Sequence, residues 1–259
     1  MDILEIIRVT KLNSLCKNGF LMLFIWIQIL PGLTTAQSQN LEVQVSSIID
    51  STQYIYGPND LLINGHVYYQ PNRMASGTPF LFSPEFYKGK VFTRGASFDV
   101  DGLNYNIVSQ ELIILNVTSE GFKLHIKLSN ILVDSFLLNN YLFVVPSLLK
   151  ISSNYPYMLV TNKGENYFLI GYNKEFINRF SQSNPYGKFS STKKSLFMVY
   201  DGNLVSINSK KTFLEYFSSA KKEISTFLKK NKTKLSKATP EQLQQLMDFC
   251  NNQLTKADE

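Results

Sequence analysis

Residues 196–228 read LFMVYDGNLVSINSKKTFLEYFSSAKKEISTFL, and the fold turns on what changes halfway through them. Leu196 to Tyr200 and Leu204 to Ile207 are apolar runs of strand length on either side of Asp201-Gly202-Asn203. Asp-Gly accepts the positive φ angles of tight turns whose twist matches paired strands, so this stretch predicts a hairpin. From Ser209 the period changes. Phe213, Phe217, Ala220, Ile224, Phe227 and Leu228 recur at helical spacing and form one apolar stripe. Lys211, Lys222 and Lys229 fall on the opposite side at about 100° per residue. Ser218-Ser219 divides the stretch into two helices, with a serine capping the second. A last helix opens at Thr239-Pro240-Glu241-Gln242. Thr caps, Pro suits the first helical position, and Gln242 completes a capping box. Its stripe is Leu243, Leu246, Met247, Cys250 and Leu254.

Upstream of residue 196 the chain is punctuated about every ten residues by turn signals, the pattern of an antiparallel fold. Leu41 to Val45 alternates strictly, and Leu61 to Tyr69 follows Gly57-Pro58-Asn59-Asp60. Lys90 to Thr93 and Ser97 to Val100 flank Arg94-Gly95-Ala96, and Tyr105 to Val108 joins Glu111 to Val117 through Ser109-Gln110. Phe122 to Leu128 alternates again and places Phe122, Leu124, Ile126 and Leu128 on one face. Ile131 to Leu138 meets Tyr141 to Val145 at Asn139-Asn140, where Asn tolerates a left-handed backbone. Tyr157 to Thr161 and Tyr167 to Tyr172 surround Asn162-Lys163-Gly164. The polar stretch 173–194 reads as a helical turn plus a long loop.

At the other end, Phe20 to Leu30 is an apolar run broken only by Gln28, behind the basic residues Arg8, Lys11 and Lys17. It is about half the roughly 20 residues that cross a bilayer. Pro31-Gly32 and the small residues before Ala36 follow it, so residues 1–36 read as a Sec-type signal peptide cut between Ala36 and Gln37. Cys16 precedes the apolar run, which is the wrong place for a lipid anchor. Removal of 1–36 leaves 223 residues with 23 basic and 18 acidic side chains. That is chain enough for a substantial core. The modest basic excess in an exported protein argues against nucleic acid as partner. Only Cys250 remains after cleavage, so no disulfide framework is expected.

Recognisable chemistry is sparse. Two histidines, His66 and His125, stand about sixty positions apart, and a zinc site needs three or four ligands in compact spacing. Cys250 lies on an apolar stripe, which predicts a buried, inert thiol. No nucleophile elbow, phosphate-cradling loop or His-Glu-x-x-His helix is present in the sequence. These readings predict no catalytic residue, cofactor or metal. Carboxylates brought together by the fold, such as Asp99 with Asp101 or Glu111 with Asp134, leave a hydrolase as the alternative. Residues 65–73 are rich in aromatic and polar groups, so His66, Tyr68, Tyr69 and Arg73 form a candidate ligand surface. Core packing is the commoner use of such aromatics. The lysine face of the first C-terminal helix fits either solvent or anionic headgroups.

Several segments resemble uncharacterised exported proteins of Bacteroidetes-type Gram-negative bacteria. They are Asn64 to Tyr68, Gly77 to Leu81, Gly89-Lys90-Val91, Leu103 to Leu112, and a tail containing Ser209-Lys210-Lys211, Lys221 to Ile224 and Phe227 to Asn231. Look-alikes usually carry Asp where Asn106 stands and an aromatic near Val108. The resemblance implies an envelope location and the strand-then-helix order, with no established reaction.

The expected protein is therefore α+β. A signal peptide (1–36) precedes an antiparallel β-meander, curled or sandwich-like (37–208). Two or three amphipathic helices (209–259) pack on that sheet. The expected role is a non-enzymatic binding or structural protein of the periplasm or outer envelope. Its expected partner is an envelope protein or a glycan, with no integral membrane span after cleavage.

Overall fold

An antiparallel sheet of eleven strands carries the fold, and three C-terminal helices share its core. The computed structural model describes residues 65–257 except 94, 119 and 163, all within Asp60–Glu259, one of two units into which the chain divides. The signal segment, its Ala36–Gln37 junction and the stretch 41–45 lie outside the described residues.

The first half of the sheet is built from neighbours in sequence. Strands β2 (Tyr87–Thr93), β3 (Ala96–Asn106), β4 (Glu111–Val117) and β5 (Lys123–Lys127) run up and down, and β1 (His66–Val67) edges β5. The expected strands at Ser97 and Tyr105 are one continuous β3. Its first part pairs with β2 and its last part with β4. A bulge between Tyr87 and Gly89 re-aims the pairing.

After β5 the chain returns to the far side of β2 as β6 (Ser135–Leu138). By register, a flat sheet would require a connection of about 30 Å. The eight steps from Lys127 to Ser135 reach about 29 Å only if fully extended, and the link instead turns, the Leu132 amide donating back to the Ser129 carbonyl at 3.0 Å. The sheet therefore curls, and residues of the crossover, Leu128, Leu132 and Val133, lie against Val91 and Thr93 of β2. Beyond β6 come β7 (Tyr141–Val144), β8 (Met158–Val160), β9 (Tyr167–Asn173), β12 (Lys193–Tyr200) and β13 (Asn203–Ser206). The turns carry the predicted residues in the predicted conformation: Asn139 and Asn140 at φ 51° and 65°, Asp201 and Gly202 at 48° and 72°.

The stretch 173–194 departs from its reading. In place of a helical turn it forms a second small sheet of β10 (Phe176–Ile177) and β11 (Lys188–Phe189), before β12 begins. Two short strands flanked by polar turns show too little alternation to register as period two. A cross-strand ring pair, Phe176 with Phe189 at 5.5 Å, holds them together.

The helices are α1 (Lys210–Tyr216), α2 (Lys221–Lys230) and α3 (Pro240–Ala257). Ser209 caps α1 by accepting from the Thr212 amide. Ala220 stands at the cap of α2 without a side-chain bond, so neither serine does the expected capping. The capping box of α3 is formed: the Gln242 amide donates to Thr239 Oγ1, and the Thr239 amide donates to Gln242 Oε1. The predicted stripes pack with Phe168, Ile170, Leu196 and Met198 of the sheet, buried throughout except at Phe227 and Leu254, which are partly buried. Phe213 lies 5.6 Å from Phe168, ring to ring. Full burial of each such side chain contributes roughly 1.5–3 kcal/mol. Inside the curl, Tyr105, Phe136, Phe143 and Tyr157 form a mutual aromatic cluster with centroids 4.8–5.8 Å apart. The reverse face of β8, β9 and β12 has its own smaller core of Ile151, Met158, Leu169 and Val199. There Tyr155 lies over Gly171, where any side chain would collide with its ring.

The alternating face of β5 is only half interior. Ile126 and Leu128 are buried, whereas Phe122 and Leu124 are exposed at the free end of the β4–β5 hairpin.

Candidate functional site

The residues singled out from sequence come partly together. His66 pairs with Lys127 across β1 and β5, and the Tyr68 amide donates to the His125 carbonyl at 2.8 Å. Directly paired residues share a sheet face, so His66, Tyr68, His125 and Lys127 form one group. Tyr68 Oη accepts from Asn106 Nδ2 at 2.8 Å. Burial, first of all, raises the Tyr68 pKa. His125 is half-buried with its ring 4.9 Å from that of Phe86. Burial and then the charge of Arg73 hold its pKa below the usual histidine value. Arg73 therefore belongs to this neighbourhood. Tyr69 does not join it and stands 84% exposed. Lys127 is taken up by Glu111 at 2.9 Å. Among the described residues no buried side-chain polar atom of this group lacks a hydrogen-bond partner.

The acid pairs considered from sequence are surface ion pairs or are otherwise engaged. Asp99 meets Lys90 and Asp101 meets Lys88, both at 3.3 Å and well exposed. Glu111 is held by Lys127 and Ser109. Among the described residues no group of three or more His, Cys, Asp or Glu could hold a metal. Cys250 is buried on its stripe, and burial pushes its thiol up to about 12. No helix among the described residues is long and apolar enough to cross a membrane.

A concave site lies elsewhere, between the β6–β7 turn, the end of β8 and the outer face of α3. It is a cleft of about 790 Å³, inside the range of small-ligand sites. Asn139 and Asn140 contribute from the turn, Tyr141 and Leu142 from β7, and Val160, Thr161 and Asn162 from the end of β8. Pro240, Glu241, Gln244 and Asp248 contribute from α3. The spacing 241, 244, 248 puts these side chains on one helical face, opposite the buried stripe. Seven residues separate the two carboxylates by about 10.5 Å along the axis.

Both carboxylates are oriented. Tyr141 Oη donates to Glu241 Oε1 at 2.5 Å. The Thr239 and Tyr141 hydroxyls hold Glu241 below the usual carboxylate range, and the same bond raises Tyr141 to about 12. Asn162, itself buried, donates through Nδ2 to Asp248 Oδ1 at 3.3 Å and accepts from Thr161 Oγ1 at 2.9 Å. Behind them Asn166 and Asn251 exchange bonds at 3.1 Å, tying the β8–β9 loop to α3. Among the described residues neither carboxylate is in an ion pair, and no lysine or arginine lines the cleft.

Sequence reading passed over this site. Its signal was present in the polar face of the last helix and in the asparagines of two turns. Nothing in the sequence says that those turns and that helix meet.

Comparison with protein-family models, with curated proteins and with solved structures returned no match.

Proposed function

We propose that this is an exported cell-envelope protein that binds a neutral glycan in the cleft beside α3 without transforming it. The observation that carries the reading is the lining. It combines four amides, two oriented carboxylates and a tyrosine with short apolar stretches at Leu142, Val160 and Pro240. A sugar hydroxyl is both donor and acceptor, so it suits amides that do both and carboxylates that accept. Among the described residues no cation lines the cleft, which favours a neutral ligand over an acidic one. Export is supported by the 1–36 signal pattern and by the resemblance to exported envelope proteins.

Two carboxylates in one cleft also favour the alternative, a glycan hydrolase. Hydrolysis requires one of them to stay protonated as general acid. Glu241 is shifted the opposite way, so it is not suited to be that acid.

The test is calorimetric titration of the purified chain with neutral and N-acetylated oligosaccharides, with reducing ends assayed in parallel. Saturable heat without new reducing ends is expected. Asp248→Ala and Asn162→Leu should each weaken binding about tenfold or more. No binding to any oligosaccharide, or steady release of reducing ends, would overturn the reading. N-terminal sequencing of the native product should begin at Gln37.

A further inference from the structure

Two loops far apart in sequence form a second surface of different character. Residues 69–76 and 178–188 are joined through a parallel bridge between Ser76 and Lys188. The Ser76 amide donates to the Gly187 carbonyl at 3.1 Å, and the Phe189 amide donates to the Ser76 carbonyl at 2.9 Å. Within the second loop Ser181 and Asn184 exchange backbone bonds at 3.0 and 3.2 Å. Gly187 sits at φ 78°, and a side chain there would run into Phe176 and the Ile177 carbonyl, so the loop's path requires glycine.

The two loops carry four large side chains that the core leaves outside. Tyr69 is 84% exposed, Met74 69%, Phe180 64% and Tyr186 55%. Met74 is two residues from Ser76, Tyr186 is next to Gly187, and Phe180 is next to Ser181. The cations Arg73, Arg179 and Lys188 are interspersed among them. Residues 66–84 and 176–200 contain no acidic residue at all. None of the three cations is in an ion pair among the described residues. Several large exposed apolar side chains on adjoining loops mark an interaction surface, and cations among them favour an anionic partner.

We infer that these paired loops dock the protein peripherally on an anionic lipid bilayer. Aromatic rings and Met74 enter the boundary between headgroups and acyl chains, where rings with one polar edge are favoured. Arg73, Arg179 and Lys188 face the lipid phosphates. The lysines of α2 make the instructive contrast: Lys221, Lys222, Lys229 and Lys230 are exposed, yet no large exposed apolar side chain stands among them. That face has charge without an anchor.

The experiment places a single tryptophan in the loop of the exported product beginning at Gln37, which has no tryptophan of its own because Trp26 leaves with the signal. Phe180→Trp introduces the reporter, with Tyr186→Trp as a second position should the first not fold. Vesicles of phosphatidylcholine mixed with phosphatidylglycerol should move its emission to the blue, and salt should reverse the shift. Arg73→Gln combined with Arg179→Gln and Lys188→Gln should weaken binding on the order of a hundredfold. Lys222→Gln with Lys229→Gln should leave it unchanged. The inference is overturned by no shift at either position, by an equal shift with pure phosphatidylcholine or with inorganic phosphate, or by an equal shift from Leu148→Trp, an exposed position in the 3-10 turn Pro146–Leu149 outside both loops.

Discussion

The cleft beside α3 and the paired loops at 69–76 and 178–188 are opposites in charge and in texture. The cleft holds two carboxylates and four amides with no lining cation among the described residues, and two of its donors, Tyr141 and Asn162, orient the carboxylates. The loops hold three cations and four exposed large side chains in a stretch free of acids. In a chain whose net charge is only +6, this is separation rather than excess. A groove whose polar groups are held in place suits a ligand recognised bond by bond. Loops that mix exposed large apolar side chains with cations suit a fluid partner that needs no register.

The contrast can be broken at its scaffold first. Leu246 faces the core from the helix that walls the cleft and is fully buried. Leu246→Ala should cost about 2–5 kcal/mol in urea unfolding. An unchanged midpoint would mean that α3 is not seated as described, and the cleft would lose its wall. Next come the crossed variants. Neutralising Arg73, Arg179 and Lys188 should remove vesicle binding and leave oligosaccharide heat intact, while Asp248→Ala should do the reverse. If either change moved both measurements, the two regions would be one site.

A smaller effect is expected at the mouth of the cleft. Thr239→Ala removes a cap and should destabilise by about 1 kcal/mol in thermal unfolding. It also removes the leading cause of Glu241's lowered pKa. Because Glu241 is held below its ordinary value, its ionised contribution is present from neutral pH downwards and disappears only as pH falls through the lowered value. Oligosaccharide affinity should therefore stay level into mild acid, and Tyr141→Phe should make the loss begin at higher pH.

The smallest effect lies on the other side of the same helix. Burial raises Cys250 to about 12, so its contribution to stability is whole below about 9 and is lost between about 9 and about 12. Thiol reagents at neutral pH should label it only after unfolding. Prompt labelling of the native chain would refute its burial.

Legibility tracked distance along the chain. The Asp201-Gly202 and Asn139-Asn140 turns and the Thr239–Gln242 capping box are settled within four residues, and each was readable before any tertiary contact was considered. The cap of α2 departs from its reading because local preference favours serine over alanine by about 1 kcal/mol, whereas packing of the buried Ala220 against the core sets the boundary. The hairpin at 176–189 was hidden because two-residue strands carry no period. His66, Tyr68 and Arg73 were readable as unusual composition. That His125 is the residue beside them depends on how β1 registers on β5.

What the sequence determined by itself is the order of strands and helices and the faces they bury, because both follow from periodicity over a few residues and from turn chemistry. Tertiary structure alone decided that the β6–β7 turn meets the outer face of α3, and that Ser76 lies beside Lys188. Those meetings join residues roughly a hundred positions apart. They are set by how the curled sheet and the helices bury a shared core, a sum over many side chains that no short stretch encodes.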